Sequence, residues 1–179
     1  KVDYDVEQLA ADLFPDGYDG LTAEDKMKTI YDYVVNEIRY SSISFRQSGF
    51  IPQKASQVIT TKIGDCKDVS TLFVALCDVV GVDANLVLVN SRYKGQQAMV
   101  LPSINFNHCI AKVNLNNEER FVELTTDLYP FGTVSASLEG SFMLEIDTEK
   151  SDVKPQFIPQ NKTAINAIYR KSEMTVEKN

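Results

Sequence analysis

The sequence predicts an α+β domain, with helices in the first half of the chain and an antiparallel sheet in the second. Apolar residues recur at helical spacing up to about residue 80, and beyond residue 84 they gather in short runs between turn signals. This order is typical of folds whose helices gather on one side of a sheet. The 179 residues, 44% of them hydrophobic, suffice to bury one core and a piece of a second.

Two helices are predicted before residue 40. The first covers about residues 6–13 and is stopped at Pro15. The second covers about residues 23–38, with apolar residues at intervals of three and four. The spacing of Thr22 and Asp25 predicts a capping box at its start.

Two further helices are predicted next, the first short and with a weak apolar pattern, the second longer and with a clear one. The stretch "QKASQVITTKIG" predicts a short helix ending at Gly64, and a longer helix follows directly after Cys66. Gly81 suits the left-handed residue that closes such a helix. The apolar stripe of the longer helix consists of Val69, Leu72, Phe73, Leu76, Cys77 and Val80.

Strands are predicted in the second half. Residues 84–91 form a buried strand, residues 107–115 and 120–125 flank the hairpin signal "NNEE", and residues 141–147 form a further strand. We expect a core domain over residues 1–140. Residues 141–179 are expected to be a strand-containing extension that lies over the core or begins a further β-rich domain.

Composition excludes several classes of function. The net charge of -7 makes nucleic acid and anionic membranes poor partners, and no run approaches the ~20 apolar residues of a transmembrane helix. One histidine and three dispersed cysteines match no zinc spacing, and there is no Cys-x-x-Cys pair. The sequence therefore predicts neither a metal nor another cofactor, and it leaves the compartment undetermined.

Cys66 stands where a helix is expected to begin. In "KIGDCKDVSTLF", Gly64 permits a tight turn into the helix, and Asp65 is the expected N-cap. A helix N-terminus stabilises negative charge, and the thiolate is the nucleophilic form of cysteine. The backbone N–H of Cys66 could also bind an oxyanion. These features predict a reactive thiol.

The alternative interpretation is that Cys66 is a small buried hydrophobe. Its charged neighbours Asp65, Lys67 and Asp68 argue against burial in an apolar core. Cys77 lies in the apolar stripe, and Cys109 alternates away from His108 along its strand, so both are expected to be core residues.

His108 is the only histidine and hence the one candidate base, although a lone histidine on a strand is commonly a core residue. A two-residue hairpin turn pairs Leu115 with Glu118 and sets Glu123 diagonal to His108. A four-residue turn instead sets His108 opposite Asp127. Both registers place the two acidic side chains on the face of His108, whereas a three-residue turn would reverse it. The alternative for Glu123 is a solvated ion pair with Lys112.

Three segments resemble the blocks of the transglutaminase-like superfamily, in its bacterial branch: "GDCKDVSTLFVALCDVVGVDANLVLV", "LPSINFNHCIAKV" and "RFVELTTDLYPFG". The resemblance spans about residues 23–140. It implies a papain-like fold whose nucleophile helix packs on an antiparallel sheet. It also implies that Cys66 is the nucleophile and His108 the general base.

The third block departs from the family. Glu123 stands where relatives usually have aspartate, and Asp127 is the alternative third member. The chain has no Trp, so the indole oxyanion donor of some animal relatives is absent, and Tyr40 or Gln47 could take that role.

The expected function is thiol-dependent acyl transfer on amide bonds of a peptide or protein through Cys66, His108 and Glu123. Water as acceptor would make the protein a peptidase or amidase, and an amine would make it a transglutaminase. Hydrolysis is favoured slightly, because no amine site is recognisable. The alternatives are an inactive module that binds peptide or assembles a larger envelope protein, and a redox-sensing thiol. The resemblance also implies a bacterial, periplasmic or envelope-associated protein with flanking domains.

Overall fold

The computed structural model describes residues 2–42, 49–92, 105–115, 118–147, 150, 152–160 and 171. Its helices are α1 (Tyr4–Leu13), α2 (Ala23–Glu37), α3 (Ala55–Thr61) and α4 (Cys66–Val79). Its strands are β1 (Arg39–Tyr40), β2 (Ile63–Gly64), β3 (Ala84–Asn90), β4 (His108–Leu115), β5 (Glu118–Val122), β6 (Phe142–Asp147) and β7 (Asp152–Phe157).

The main sheet is antiparallel and has the order β5-β4-β3-β6-β7. Helix α4 packs on β4 and β3, and the other three helices pack around α4. The helices thus lie on one side of the sheet, and the predicted α+β class is confirmed. The two-stranded parallel sheet of β1 and β2 was not predicted.

Thr22 caps α2 as predicted, but the Asp25 side chain bonds the Thr22 hydroxyl and not its amide, so the predicted capping box is only half formed. The Asp25 amide donates to Thr22 Oγ1 at 3.1 Å, and Thr22 Oγ1 donates to Asp25 Oδ2 at 2.7 Å. The helix ends at Glu37, and Ile38 is its C-cap. The predicted boundaries are therefore accurate to one residue.

The short helix α3 ends three residues earlier than predicted. Lys62 adopts a left-handed conformation (φ 54°), which ends the helix and turns the chain toward β1. The Arg39 amide then donates to the Lys62 carbonyl at 2.8 Å, and the Ser41 amide donates to the Gly64 carbonyl at 2.9 Å. The last two residues of the predicted helix therefore form β2.

Helix α4 is the centre of the main core. Gly81 follows it with φ 73°, as the closing residue was predicted to do. The stripe packs against β4 and β5 through Ala111, Val113 and Val122. The buried stripe consists of Val69, Leu72, Phe73, Leu76, Cys77 and Val80.

The hairpin has the register of a two-residue turn, since Leu115 pairs with Glu118. The turn itself, residues 116–117, lies outside the described residues. Strand β5 ends at Val122, three residues before the end of the predicted strand, so Glu123 follows the ladder instead of standing in it.

The strand predicted near residue 141 is β6, and it lies between β3 and β7 in the same sheet as the hairpin. The extension expected from residue 141 onward thus begins with two strands of the core sheet. Of residues 161–179, only Lys171 is described, so a further domain there stays a prediction. The face of the sheet opposite the helices carries a second core cluster of Val87, Val89, Ile110, Phe121, Leu138, Met143 and Ile158.

Candidate active site

Cys66 is the first residue of α4, and Asp65 is the N-cap that the sequence predicted. Asp65 Oδ1 accepts hydrogen bonds from the amides of Lys67 (3.1 Å) and Asp68 (3.3 Å). Asp68 Oδ2 accepts one from the Asp65 amide at 3.0 Å, which completes a capping box. The thiol is therefore held at the positive end of the helix dipole.

The charged neighbours of Cys66 do not keep it out of an apolar cluster, since it packs with Cys109, Leu86 and Leu88. Cys66 is only 5% exposed, and Asp65, Lys67 and Asp68 are buried with it. Burial is possible because each charge has a partner. Lys67 Nζ pairs with Asp65 Oδ2, and Asp68 accepts two bonds from Gln53, through its amide and its Nε2, both at 2.8 Å.

Gly64 is required by close packing before this turn. A Cβ at that position would lie 2.9 Å from the Asp68 Cβ, an atom that cannot swing away. The absence of a side chain therefore lets β2 run directly into the capping box.

His108 is the first residue of β4 and lies opposite Val89 of β3. Its Nε2 is 2.9 Å from Glu123 Oε2, and the ring also hydrogen-bonds the Cys66 side chain. Because Nε2 faces Glu123, the other ring nitrogen, Nδ1, is the one left for the sulfur. The imidazole thus bridges the thiol and the carboxylate.

The surroundings of His108 favour the charged ring. Burial alone would lower the pKa of His108, but the hydrogen bonds and negative charges of Cys66 and Glu123 outweigh it and raise the pKa to about 10. The ring is therefore an imidazolium at neutral pH.

Glu123 is buried, and both of its carboxylate oxygens have hydrogen-bond partners. Its Oε1 accepts bonds from the Leu124 amide (3.0 Å), the Thr125 amide (3.0 Å) and Thr125 Oγ1 (2.7 Å). Burial would raise the pKa of Glu123, but the bonds from His108 and Thr125 prevail and lower it. A fixed, ionised carboxylate therefore faces the imidazole.

Neither Asp127, the alternative third member, nor Lys112, the alternative partner of Glu123, takes part in this contact. Asp127 is exposed, and the carboxylate that bonds the imidazole is Glu123. Lys112, the alternative partner of Glu123, pairs instead with Glu119 at 2.8 Å and Glu145 at 2.6 Å.

All three cysteines are buried free thiols. Cys77 belongs to the helical core, as predicted, and burial raises its pKa. Cys109 is also buried, as predicted, but it packs against Cys66 together with Leu86 and Leu88. The alternation that turns Cys109 away from His108 thus turns it toward the thiol of Cys66.

Tyr40 lies beside the turn into α4, because β1 pairs it with Gly64. Burial, followed by the negative charge of Cys66, raises the pKa of Tyr40 to about 12, although a hydrogen bond with Ser42 opposes the shift. The phenol is therefore a protonated donor within electrostatic range of Cys66. Gln47, the other candidate donor, lies outside the described residues.

The described part of the chain offers neither a metal site nor a membrane-spanning helix. Among those residues, no group of three or more His, Cys, Asp or Glu side chains could hold a metal ion. No helix described here has both the length and the apolar character needed to span a bilayer.

The fold has relatives among solved structures. A putative protease from Parabacteroides distasonis superposes with a TM-score of 0.66 at 11% identity, over 88% of this chain and 28% of that one. A putative cysteine protease from Cytophaga hutchinsonii gives 0.49 at 18% identity, over 88% and 52%. The chain thus spans about a quarter to a half of the length of these two proteins.

Comparison of the sequence with protein families identifies the family of the chain. No curated protein matches the chain. The family model of the transglutaminase-like superfamily matches residues 15–125, which is more than half of the chain and includes the segments of Cys66, His108 and Glu123. The chain therefore belongs to the transglutaminase-like superfamily.

Proposed function

We propose that the protein is a thiol-dependent acyl-transfer enzyme acting on amide bonds, with Cys66 as nucleophile, His108 as general base and Glu123 as the residue that orients the imidazole. The observation that carries this proposal is the continuous hydrogen-bonded series from the Cys66 side chain through His108 to Glu123. Such a series matches the roles of nucleophile, base and orienting carboxylate.

The chemistry follows from where the proton resides. His108 holds the proton that the thiol gives up, and the thiolate attacks the amide carbonyl to form a tetrahedral intermediate. His108 then protonates the leaving amine, which leaves a thioester on Cys66. Glu123 stabilises the imidazolium and fixes the Nε2 hydrogen toward itself, so Nδ1 keeps facing the sulfur.

Two donors are suited to the oxyanion of that intermediate. The N–H of Cys66 lies in the first turn of α4, where amides have no intrahelical acceptor. The hydroxyl of Tyr40 is the second, because β1 holds this residue beside the turn and its high pKa keeps it protonated. We therefore propose Tyr40, of the two candidates, as the side-chain donor.

Peptide or protein amides are the proposed substrates and water the proposed acceptor. The fold neighbour from Parabacteroides distasonis is described as a putative protease, which supports hydrolysis over transfer to an amine. The bacterial origin, the envelope location and the flanking domains implied by the family resemblance remain part of the proposal.

The second candidate function is a module that binds peptide without turnover. The 5% exposure of Cys66 favours it, because an amide carbonyl must reach the sulfur for attack. The first experiment separates the two functions.

That experiment is acylation by p-nitrophenyl acetate, followed by mass spectrometry. We expect a stoichiometric burst of p-nitrophenolate and an acetyl group on Cys66, both absent from Cys66→Ala. Cys77→Ala is the matched control and is expected to react as the wild type does, because its thiol lies in the helical core. A wild type without a burst would favour the binding module. Chromogenic peptide amides, with and without added amine, would then identify the acceptor.

Tyr40→Phe is expected to slow acylation by p-nitrophenyl acetate about 100-fold to 1,000-fold, the usual effect of removing one oxyanion donor. Alkylation of Cys66 by iodoacetamide should hardly change, because displacement of iodide forms no oxyanion. The measurement is the ratio of the two rates. Tyr4→Phe is the control, since Tyr4 is exposed on α1. If both reactions slowed equally, Tyr40 would instead support the fold of the site.

A further inference from the structure

Cys66 and Cys109 form a buried cluster of their own. Their side chains pack together, with Leu86 and Leu88 against them, whereas Cys77 lies in the main helical core. Both are free thiols. The residue after the candidate base is thus a second sulfur beside the candidate nucleophile.

Ser70 fixes the position of Cys109 relative to Cys66. Ser70 Oγ donates to the Cys109 carbonyl at 3.3 Å, and the Ser70 side chain also hydrogen-bonds the Cys109 thiol. Cys66 and Ser70 are four residues apart on α4, so their Cβ atoms are ~5–6 Å apart on the same helix face. Cys109 therefore packs against the first turn of α4, beside Cys66.

We propose that Cys66 and Cys109 form an oxidative modification site, in which hydrogen peroxide oxidises Cys66 and Cys109 converts the product to a disulfide. The Cys66 thiolate attacks the peroxide, so an S–O bond forms, the O–O bond breaks and water leaves. The Cys109 sulfur then attacks the resulting sulfenic acid, so the S–S bond forms and the S–O bond breaks. The protons of Cys109 and His108 leave in the two water molecules formed from hydrogen peroxide, and both sulfurs are oxidised.

Burial and the charge of Cys66 both act on the Cys109 thiol. Burial, and then the negative charge of Cys66, raise the pKa of Cys109, so the Cys109 thiol stays protonated at neutral pH. Conversion of Cys66 to the neutral sulfenic acid removes that charge and eases the ionisation of Cys109. Oxidation of the first thiol therefore removes one of the two main causes that raise the pKa of the second.

The modification would protect the nucleophile reversibly. A sulfenic acid without a neighbouring thiol is oxidised further to sulfinic acid, which thiols do not reduce, whereas a disulfide is reduced by thiols. The inference rests on Cys66 being the reactive thiol of the proposed function, but it does not require amide cleavage. A protein that failed to acylate could still form the disulfide, so the two proposals fail separately.

The test is treatment of the whole chain with hydrogen peroxide, followed by non-reducing peptide mass spectrometry. In the wild type we expect a peptide cross-linked between Cys66 and Cys109, and return of iodoacetamide labelling at Cys66 after dithiothreitol. In Cys109→Ser we expect sulfinic acid on Cys66 and loss of that return. Cys77→Ser is the matched control and should behave as the wild type does.

Cys109→Ala accompanies the serine variant, and each must label at Cys66 but not at the core residue Cys77 before peroxide, which shows that the variant is folded. The proposal is overturned if wild-type Cys66 accumulates sulfinic acid without the cross-link. It is also overturned if Cys109→Ser recovers its labelling as fully as the wild type does.

Discussion

Replacement of His108 by alanine is expected to lower the rate of Cys66 acylation at pH 7 by about 100-fold to 10,000-fold, the usual contribution of a general acid–base. The ring is the group to which the Cys66 side chain is hydrogen-bonded, and it carries the positive charge that faces the sulfur. Without it, the thiol has no acceptor for its proton, and the departing group has no donor. Iodoacetamide alkylation, measured from pH 4 to 10 by mass spectrometry, should slow at neutral pH for the first of these reasons.

The protonation of the ring can be observed directly. Because His108 is the only histidine, a ring-labelled sample gives one set of imidazole NMR signals. The pKa of His108 is raised from 6.5 to about 10, so the signals should remain those of the imidazolium through neutral pH and change only as the pH approaches 10. In Cys66→Ala the titration should move down, because one of the two partners that raise the pKa is lost.

Cys77 and Cys109 serve as internal controls in the alkylation experiment, since burial raises the pKa of each. Titration of His108 near its ordinary pKa, together with alkylation that is indifferent to His108→Ala, would contradict the proposed ion pair. The module that binds peptide would then be the better interpretation.

Replacement of Glu123 by alanine is expected to cost about 3–5 kcal/mol of folding free energy, because it removes one partner of a buried charge pair. The variant leaves His108 without its carboxylate and three donors, the Leu124 amide and the Thr125 amide and hydroxyl, without their acceptor. Urea unfolding measures the loss. Acylation should fall as well, since nothing then orients the imidazole.

The variant Glu123→Gln separates the effect of the negative charge from the effect of the side chain's size. It keeps the length of the side chain but removes the negative charge, so the pKa of His108 should fall, while the stability loss should be smaller than in Glu123→Ala. Glu118→Ala is the matched control, because Glu118 is 74% exposed in the same hairpin, and its effect should stay within about 0.5 kcal/mol. A Glu123→Ala variant as stable as this control would refute the structural role of the carboxylate.

The lowered pKa of Glu123 also predicts a pH dependence. A carboxyl group with a folded pKa below its unfolded value contributes stability above the unfolded pKa of about 4.5, and this contribution is lost as the pH falls through the folded value. The difference in unfolding free energy between wild type and Glu123→Gln should therefore shrink on acidification below about pH 4.5.

Local patterns in the sequence were sufficient to predict much of the structure around the candidate site. The N-cap Asp65, the stripe of α4 and the pairing of Leu115 with Glu118 depend on residues close together in the chain or on strict periodicity. The register of a two-residue turn is enough to predict Glu123 diagonal to His108, and the hairpin has that register.

Contacts between distant segments could not be predicted in this way. Gln53 stabilises the buried Asp68 from the segment before α3, and no spacing rule relates the two residues. The bonds of Thr125 to Glu123 arise only because β5 ends at Val122, which frees the chain to turn back on the carboxylate. The pairing of β1 with β2 and that of β3 with β6 also join segments that are far apart in the chain, so sequence patterns do not predict them.

The position of β6 has a consequence for how the protein can be divided. Strand β3 is central only because β6 covers one side of it, and Leu86 finds its partner Ile146 sixty residues later. A fragment cut at residue 125, where the family match ends, or at residue 140 would leave β3 as an open edge with unpaired N–H and C=O groups. That edge is rich in Leu and Val, and exposed apolar edges invite pairing between chains. A fragment that keeps β3 covered must therefore extend at least through β6, and we expect fragments that end before β6 to aggregate.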